Sequence, residues 1–261
     1  MARIFCVANQ KGGVGKTTTT LNLAAGLAKS SQRVLMVDLD PQGNATMGSG
    51  VDKRKLQHSI YDVLLESCSV AQARVTSEKL QGTGYSYDVL GANRELAGAE
   101  VELVDVERRE RRLKAALAAV DADYDFILID CPPSLSMLTL NGLCCAPGVI
   151  VPMQCEYFAL EGLTDLVNTI KQVRANMNKE LAVISLLRVM YDPRITLQQQ
   201  VSEQLKVHFA EKVFDTVIPR NVRLAEAPSY GLPGVVFDPS SKGALAYLAF
   251  AREMLARLAA P

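Results

Sequence analysis

The segment VANQKGGVGKTTTT, Val7 to Thr20, concentrates residue types that bind phosphate. Gly12, Gly13 and Gly15, with Val14 between them, can bring backbone N–H groups up to phosphate oxygens, because glycine has no Cβ to hold a ligand away. A helix opening at Lys16 would add the partial positive charge of its amino terminus. Lys16 can reach β- and γ-phosphates, Thr17 carries a hydroxyl suited to Mg²⁺, and Thr18 supplies another at the helix start. The segment departs from the usual G-x-x-x-x-G-K-[ST] pattern, with Gln10 where the first glycine belongs and an additional lysine, Lys11, immediately after it.

Two further stretches end apolar runs on carboxylates. VLMVDLDPQGN places Asp38 and Asp40 at the end of one run, two apart and so on one face if a strand persists that far. FILIDCPPS places Asp130 at the end of another, the position of a carboxylate that holds Mg²⁺ beside a phosphate loop. One aspartate ending a strand is most often a turn former; three beside a phosphate loop point to a metal-assisted nucleotide site. Prolines 41, 132 and 133 stop these strands and suggest loops that respond to the γ-phosphate.

The elements that must position these residues alternate. Strand-length apolar runs occur at RIFCVA, RVLMVD, YDVLGA, DFILID, GVIVPM, LAVISLLRVM and KVFDTVI. Between most of them lie helical periodicities such as TTLNLAAGLAK, VERRERRLKAALAAV, LEGLTDLVNTIKQVRA and LQQQVSEQLKVHF. The pattern predicts a single-domain α/β fold over residues 1–261, with a mostly parallel twisted sheet covered by helices on both faces and ligands beyond the carboxyl ends of the strands. Pro41 to Gly84 is the least regular region, read as a loop with one short helix near SIYDVLLES, and Ser240 or Ser241 is the expected cap of a closing helix.

Composition bounds the function. The chain has 261 residues, 49% hydrophobic, with 28 basic residues against 28 acidic, so no global field favours nucleic acid or an anionic membrane. Up to Ile170 there are 16 basic and 20 acidic residues; after it there are 12 and 8, so a basic face is expected in the carboxy-terminal third. The six cysteines form no C-x-x-C pair, and several fall in apolar runs, as expected of reduced core thiols. MARIFCVA is too short for a signal peptide and no apolar run reaches a membrane span, so a cytosolic protein is expected.

KGGVGKTTT, VDLDPQGNAT, ILIDCPPSL, QCEYFALEGL, MYDPR and IPRNVRLAEAPSYGLP together resemble the ParA/Soj family of chromosome and plasmid partitioning ATPases, from about Arg3 to Leu258. That group has a deviant Walker A loop, and Lys11 matches its signature lysine, which crosses a dimer interface to the partner's nucleotide. The resemblance implies a homodimer sandwiching two ATP molecules with Mg²⁺. It makes Asp40 the residue that positions the attacking water, Asp38 and Asp130 carboxylates around Mg²⁺, and Pro219 and Asn221 part of the adenine site. Arg188, Arg220 and Arg223 lie in stretches resembling the family's surface for non-specific double-stranded DNA. A ParB-like centromere-binding partner that stimulates a slow ATPase, and association with the nucleoid, are implied as well. The chain lacks the amino-terminal helix-turn-helix extension of larger plasmid relatives, so operator binding is not expected.

ERRERRLK, Glu107 to Lys114, invites a nucleic-acid reading, but Glu107 with Arg111 and Glu110 with Lys114 fit i,i+4 pairs on an exposed helix. A membrane-cycling relative of the MinD type is the main alternative. It calls for a basic amphipathic closing helix, whereas only Arg252 and Arg257 follow Lys242 as cations and no aromatic follows Phe250. A nitrogenase-iron-protein-like redox role lacks a second cluster cysteine, and a phosphate-loop ligase or amidase lacks an additional substrate domain.

Overall fold

Short runs of Val, Ile, Leu and Met build the sheet, because β-branched and bulky apolar residues fit a pleated surface buried on both sides. In the computed structural model, which describes residues 1–157 and 159–259, these are β1 (Arg3–Val7), β2 (Val34–Asp38), β3 (Arg74–Thr76), β4 (Asp88–Leu90), β5 (Phe126–Asp130), β6 (Gly148–Met153), β7 (Val183–Tyr191) and β8 (Val213–Pro219). Their order is β3-β4-β2-β5-β1-β6-β7-β8. Every neighbouring pair is parallel except β3 with β4, which is antiparallel. The register sets Val7 and Asp38 beside Asp130, so three strands finish together at one edge.

Helices cover both faces. In chain order they are α1 (Lys16–Lys29), α2 (Asn44–Gly48), α3 (Ile60–Leu64), α4 (Val70–Ala73), α5 (Leu96–Glu102), α6 (Arg112–Ala118), α7 (Met137–Cys145), α8 (Ala159–Asn176), α9 (Thr196–Phe209), α10 (Val222–Glu226), α11 (Gly234–Phe237) and α12 (Lys242–Ala259). One core joins α3 to α9 with one sheet face, and a second joins α1, α11 and α12 with the other. α1 lies close to α12 because Gly26 leaves room: a Cβ there would sit 2.9 Å from that of Ala251. All six cysteines are free, and all but Cys68 are buried, as their apolar settings predict.

The irregular region between Pro41 and Gly84 is more ordered than expected, containing α2, α3, α4 and the edge strand β3. Serines make this order local: Ser59 and Ser69 each close a capping box, with Asp62 and Gln72 respectively. Ser241, rather than Ser240, caps the closing helix, accepting from Ala244 N at 3.2 Å. The ERRERRLK expectation needs a correction, because the α-helix starts only at Arg112, after a 3₁₀ turn over Arg109–Arg111. Buried Asn141 of α7 sets that start by donating to Arg109 O at 2.9 Å and accepting from Leu113 N at 3.1 Å. The charges accordingly pair between elements: Lys114 meets Glu180 at 3.2 Å and Arg112 meets Glu66.

Candidate nucleotide site

Between β1 and α1 the chain turns through two left-handed glycines, Gly13 at φ 72° and Gly15 at φ 76°, a conformation that a side chain would strain. Neighbouring strand ends clamp this loop. Asn9 donates to Pro152 O at 2.8 Å and accepts from Lys11 N at 3.0 Å, while Gln154, just past β6, donates to Gly13 O at 3.3 Å. Lys16 is buried and lies along the loop, donating to the carbonyl of Lys11 at 3.2 Å. Burial pulls its ammonium below the usual range, and the charge of Asp130 opposes that shift. The Lys11 side chain goes elsewhere: its Nζ meets Glu156 Oε2 at 2.6 Å, with the two side chains 52% and 46% exposed.

Asp130 and Asp38 are buried side by side at the ends of β5 and β2. Asp130 accepts from Thr17 Oγ1 at 2.7 Å and Thr20 Oγ1 at 3.0 Å. Asp38 accepts from Thr46 N at 2.8 Å and Thr46 Oγ1 at 2.7 Å through one oxygen, and from Asp40 N at 3.1 Å through the other. Burial first, then the Asp38 charge, lifts Asp130 above the usual carboxylate range, and burial lifts Asp38 despite its hydrogen bonds to Thr46. Two adjoining buried carboxylates with a threonine hydroxyl fit a hard dication. Among the described residues no three His, Cys, Asp or Glu side chains gather to hold a metal alone. β2 ends at Asp38, so Asp40 does not continue the strand face; it opens a turn, its Oδ1 accepting from Gln42 N at 2.9 Å.

Beside the loop lies a cleft of about 170 Å³ whose wall includes Gly15, Thr18, Met190, Pro219 and Asn221. Asn221 also caps α10, its Oδ1 accepting from Leu224 N at 3.3 Å. Met190 carries no chemistry that its residue type announces. Its backbone is left-handed at φ 52°, its Sδ accepts from Gln154 Nε2 at 3.0 Å, and its methyl lies 3.8 Å from where a Gly15 Cβ would be. The one signal in sequence is its position in MYDPR, directly after an apolar strand.

The three arginines expected on one surface separate. Arg188 departs from that expectation: it is 3% exposed, and its guanidinium donates to Ser202 Oγ at 2.7 Å, Phe214 O at 2.7 Å and Asp215 O at 2.9 Å. Arg220 is exposed. Arg223, 56% exposed, pairs with Glu226 at 2.9 Å and Asp238 at 3.4 Å. The exposed arginine of the MYDPR stretch is Arg194, its side chain 87% exposed and paired with Asp192.

Known proteins match this arrangement along most of its length. Residues 2–183 match the family model described as an AAA domain. The sporulation initiation inhibitor protein Soj of Bacillus subtilis is 50% identical over 98% of this chain and 99% of its own. The chromosome partitioning protein ParA of Myxococcus xanthus is 47% identical over 98% of this chain and 89% of its own. A Mycobacterium smegmatis structure titled cobyrinic acid a,c-diamide synthase, with bound ADP and magnesium, superposes with a TM-score of 0.82 at 40% identity, covering 99% of this chain and 96% of that one. On identities of 47–50% along nearly its whole length, the chain belongs to the ParA/Soj family of chromosome partitioning ATPases.

Proposed function

We propose that this protein is an ATP-dependent DNA-partitioning ATPase whose ATP-bound homodimer holds double-stranded DNA without sequence preference and lets go after hydrolysis. Lys16, the N–H groups of residues 12–18 and Thr17 take the triphosphate; Asp130 and Asp38 stand behind Thr17 to orient a Mg²⁺ shell. Mg²⁺, when bound with ATP, neutralises charge building on the phosphates. Asp40, on a turn at the rim, orients the attacking water and takes its proton. Pro219 and Asn221 face the adenine. Arg220, Arg223 and the exposed Arg194 supply phosphate contacts, doubled by two-fold symmetry. A ParB-like partner accelerates a slow intrinsic turnover, and the cycle runs in the cytoplasm on the nucleoid.

One observation carries this reading. The phosphate loop already has its own buried cation in Lys16, while Lys11 stands half exposed at the rim with its ammonium on Glu156, so it is a second cation that the loop's own phosphates do not need. A second cation reaching in from the partner makes dimer stability depend on the γ-phosphate. The MinD-like alternative calls for a membrane-facing closing helix, whereas α12 buries Tyr247, Phe250 and Met254 in the second core. Among the described residues no helix is long and apolar enough to cross a membrane.

Lys11→Ala tests the proposal. The variant should bind ATP as a monomer and fail to dimerise in light scattering with ATP and Mg²⁺. An ATP-dependent dimer of that variant would overturn the trans-lysine role.

A further inference from the structure

Lys11 is held from two sides within its own chain. Its backbone N–H is fixed by Asn9 at 3.0 Å, and its ammonium by Glu156 at 2.6 Å. Glu156 lies three residues beyond β6, on the segment whose Gln154 also grips Gly13 O, and its own N–H donates to Gln154 O at 3.0 Å. One short stretch after β6 thus touches the phosphate loop at both Gly13 and Lys11.

We propose that Glu156 is a positioning residue that holds Lys11 in cis and sets the threshold for ATP-driven dimerisation. The inference rests on the reading that Lys11 crosses to the partner's nucleotide. An ammonium carried to the partner's phosphates with Glu156 still 2.6 Å away would bring a carboxylate up to those phosphates, and the two anions repel, so the Lys11–Glu156 pair opens, or lengthens, as the sandwich closes. The pair opposes dimerisation. Both side chains are about half exposed, so solvent screens the pair, and an ion pair of this kind is worth no more than about fivefold in an equilibrium constant. A dimer releases two, and the combined effect lies between about twofold and about 25-fold.

Glu156→Gln removes the charge while keeping size and hydrogen-bonding capacity. Sedimentation of wild type, Glu156→Gln and Lys11→Ala/Glu156→Gln with a non-hydrolysable ATP analogue and Mg²⁺ reads the dimer constant. Glu156→Gln should dimerise more tightly within that range, with the advantage shrinking as salt rises and monomer affinity for the analogue unchanged. The double variant should not dimerise, as Lys11→Ala alone does not. Equal or weaker dimerisation of Glu156→Gln, at wild-type melting temperature, overturns the role of Glu156, as does a gain that persists in the double variant. Absence of an analogue-dependent dimer in wild type would instead sink the reading of Lys11 beneath it.

Discussion

Thr46→Val tests how the buried carboxylate Asp38 is held. The Thr46 hydroxyl donates to Asp38 at 2.7 Å and accepts from the backbone N–H of Ala92 at 2.9 Å, at a site with no solvent access. Valine matches threonine in shape, so the change removes both bonds without opening a cavity. A hydrogen bond to a charged group contributes about 1.5–3 kcal/mol, and a buried unsatisfied N–H costs about 1–3 kcal/mol; since the two share one atom, a combined loss of about 2–4 kcal/mol is expected. The loss should depend on pH. Asp38 is pushed up to about 6 in the folded chain, mainly by burial, against an ordinary value near 4 when unfolded. Its contribution to stability is therefore complete below about pH 4 and fades as pH rises through about 6. The bonds from Thr46 favour the ionised form, so without them the folded value climbs further and the ionised carboxylate at high pH is less well solvated. Urea unfolding of nucleotide-free wild type and variant at pH 5 and pH 8 should give a larger deficit at pH 8, with Thr46→Ser close to wild type at both. A deficit below about 1 kcal/mol, or one equal at the two pH values, refutes the argument.

Asp40→Ala should leave ATP binding and the dimer intact while slowing phosphate release by about 10²- to 10⁴-fold, the usual worth of a positioned base; turnover at the wild-type rate would assign the water to another group. Arg220→Ala should weaken DNA binding with ATP and Mg²⁺ and flatten its logarithmic salt slope by about 0.9 per lost phosphate contact. Arg188→Ala should lower the melting temperature instead, because it strips the buried Ser202 hydroxyl and Phe214 carbonyl, and the Asp215 carbonyl beside them, of their donor; a DNA defect at unchanged stability would restore Arg188 to the surface.

What was legible in the sequence follows a physical divide. The sheet's central strands and the phosphate loop could be read because each is a local signal: an apolar run of strand length, a glycine that tolerates φ above zero, a carboxylate where the run stops. β3 could not, since three residues, RVT, acquire their conformation only from antiparallel pairing with Asp88–Leu90. Neither could the partners of ERRERRLK, which are set by Asn141 and Glu180, 28 to 66 residues away. The site divides in the same way. Lys16, Thr17, Asp38 and Asp130 have residue types and positions that announce their chemistry, whereas Thr46, Gln154, Glu156 and Met190, though they lie within the quoted stretches, acquire their partners only when the fold brings α2 and the ends of β6 and β7 up to the loop and its carboxylates.

Arg188 shows why an arginine near a strand end could be placed on the wrong side. β7 pairs Leu186 with Val213 and Arg188 with Val217, so three residues of β8 oppose one of β7. Such a bulge takes backbone groups out of the ladder, and buried ones need other partners. The carbonyls of Phe214 and Asp215 receive the Arg188 guanidinium, and the N–H groups of Asp215 and Thr216 donate to the Glu253 carboxylate, each at 2.8 Å. The bulge is thus plugged by one cation and one anion from opposite directions, and Arg188 is required inside. A second register shift follows between Val189 and Tyr191, where Met190 turns left-handed. That turn ends the strand beside Gly15 and the cleft, and the chain leaving it carries Arg194 out to solvent. The two irregularities in β7 therefore sort the arginines: the first draws Arg188 into the sheet, and the second is followed by a turn that leaves Arg194 exposed.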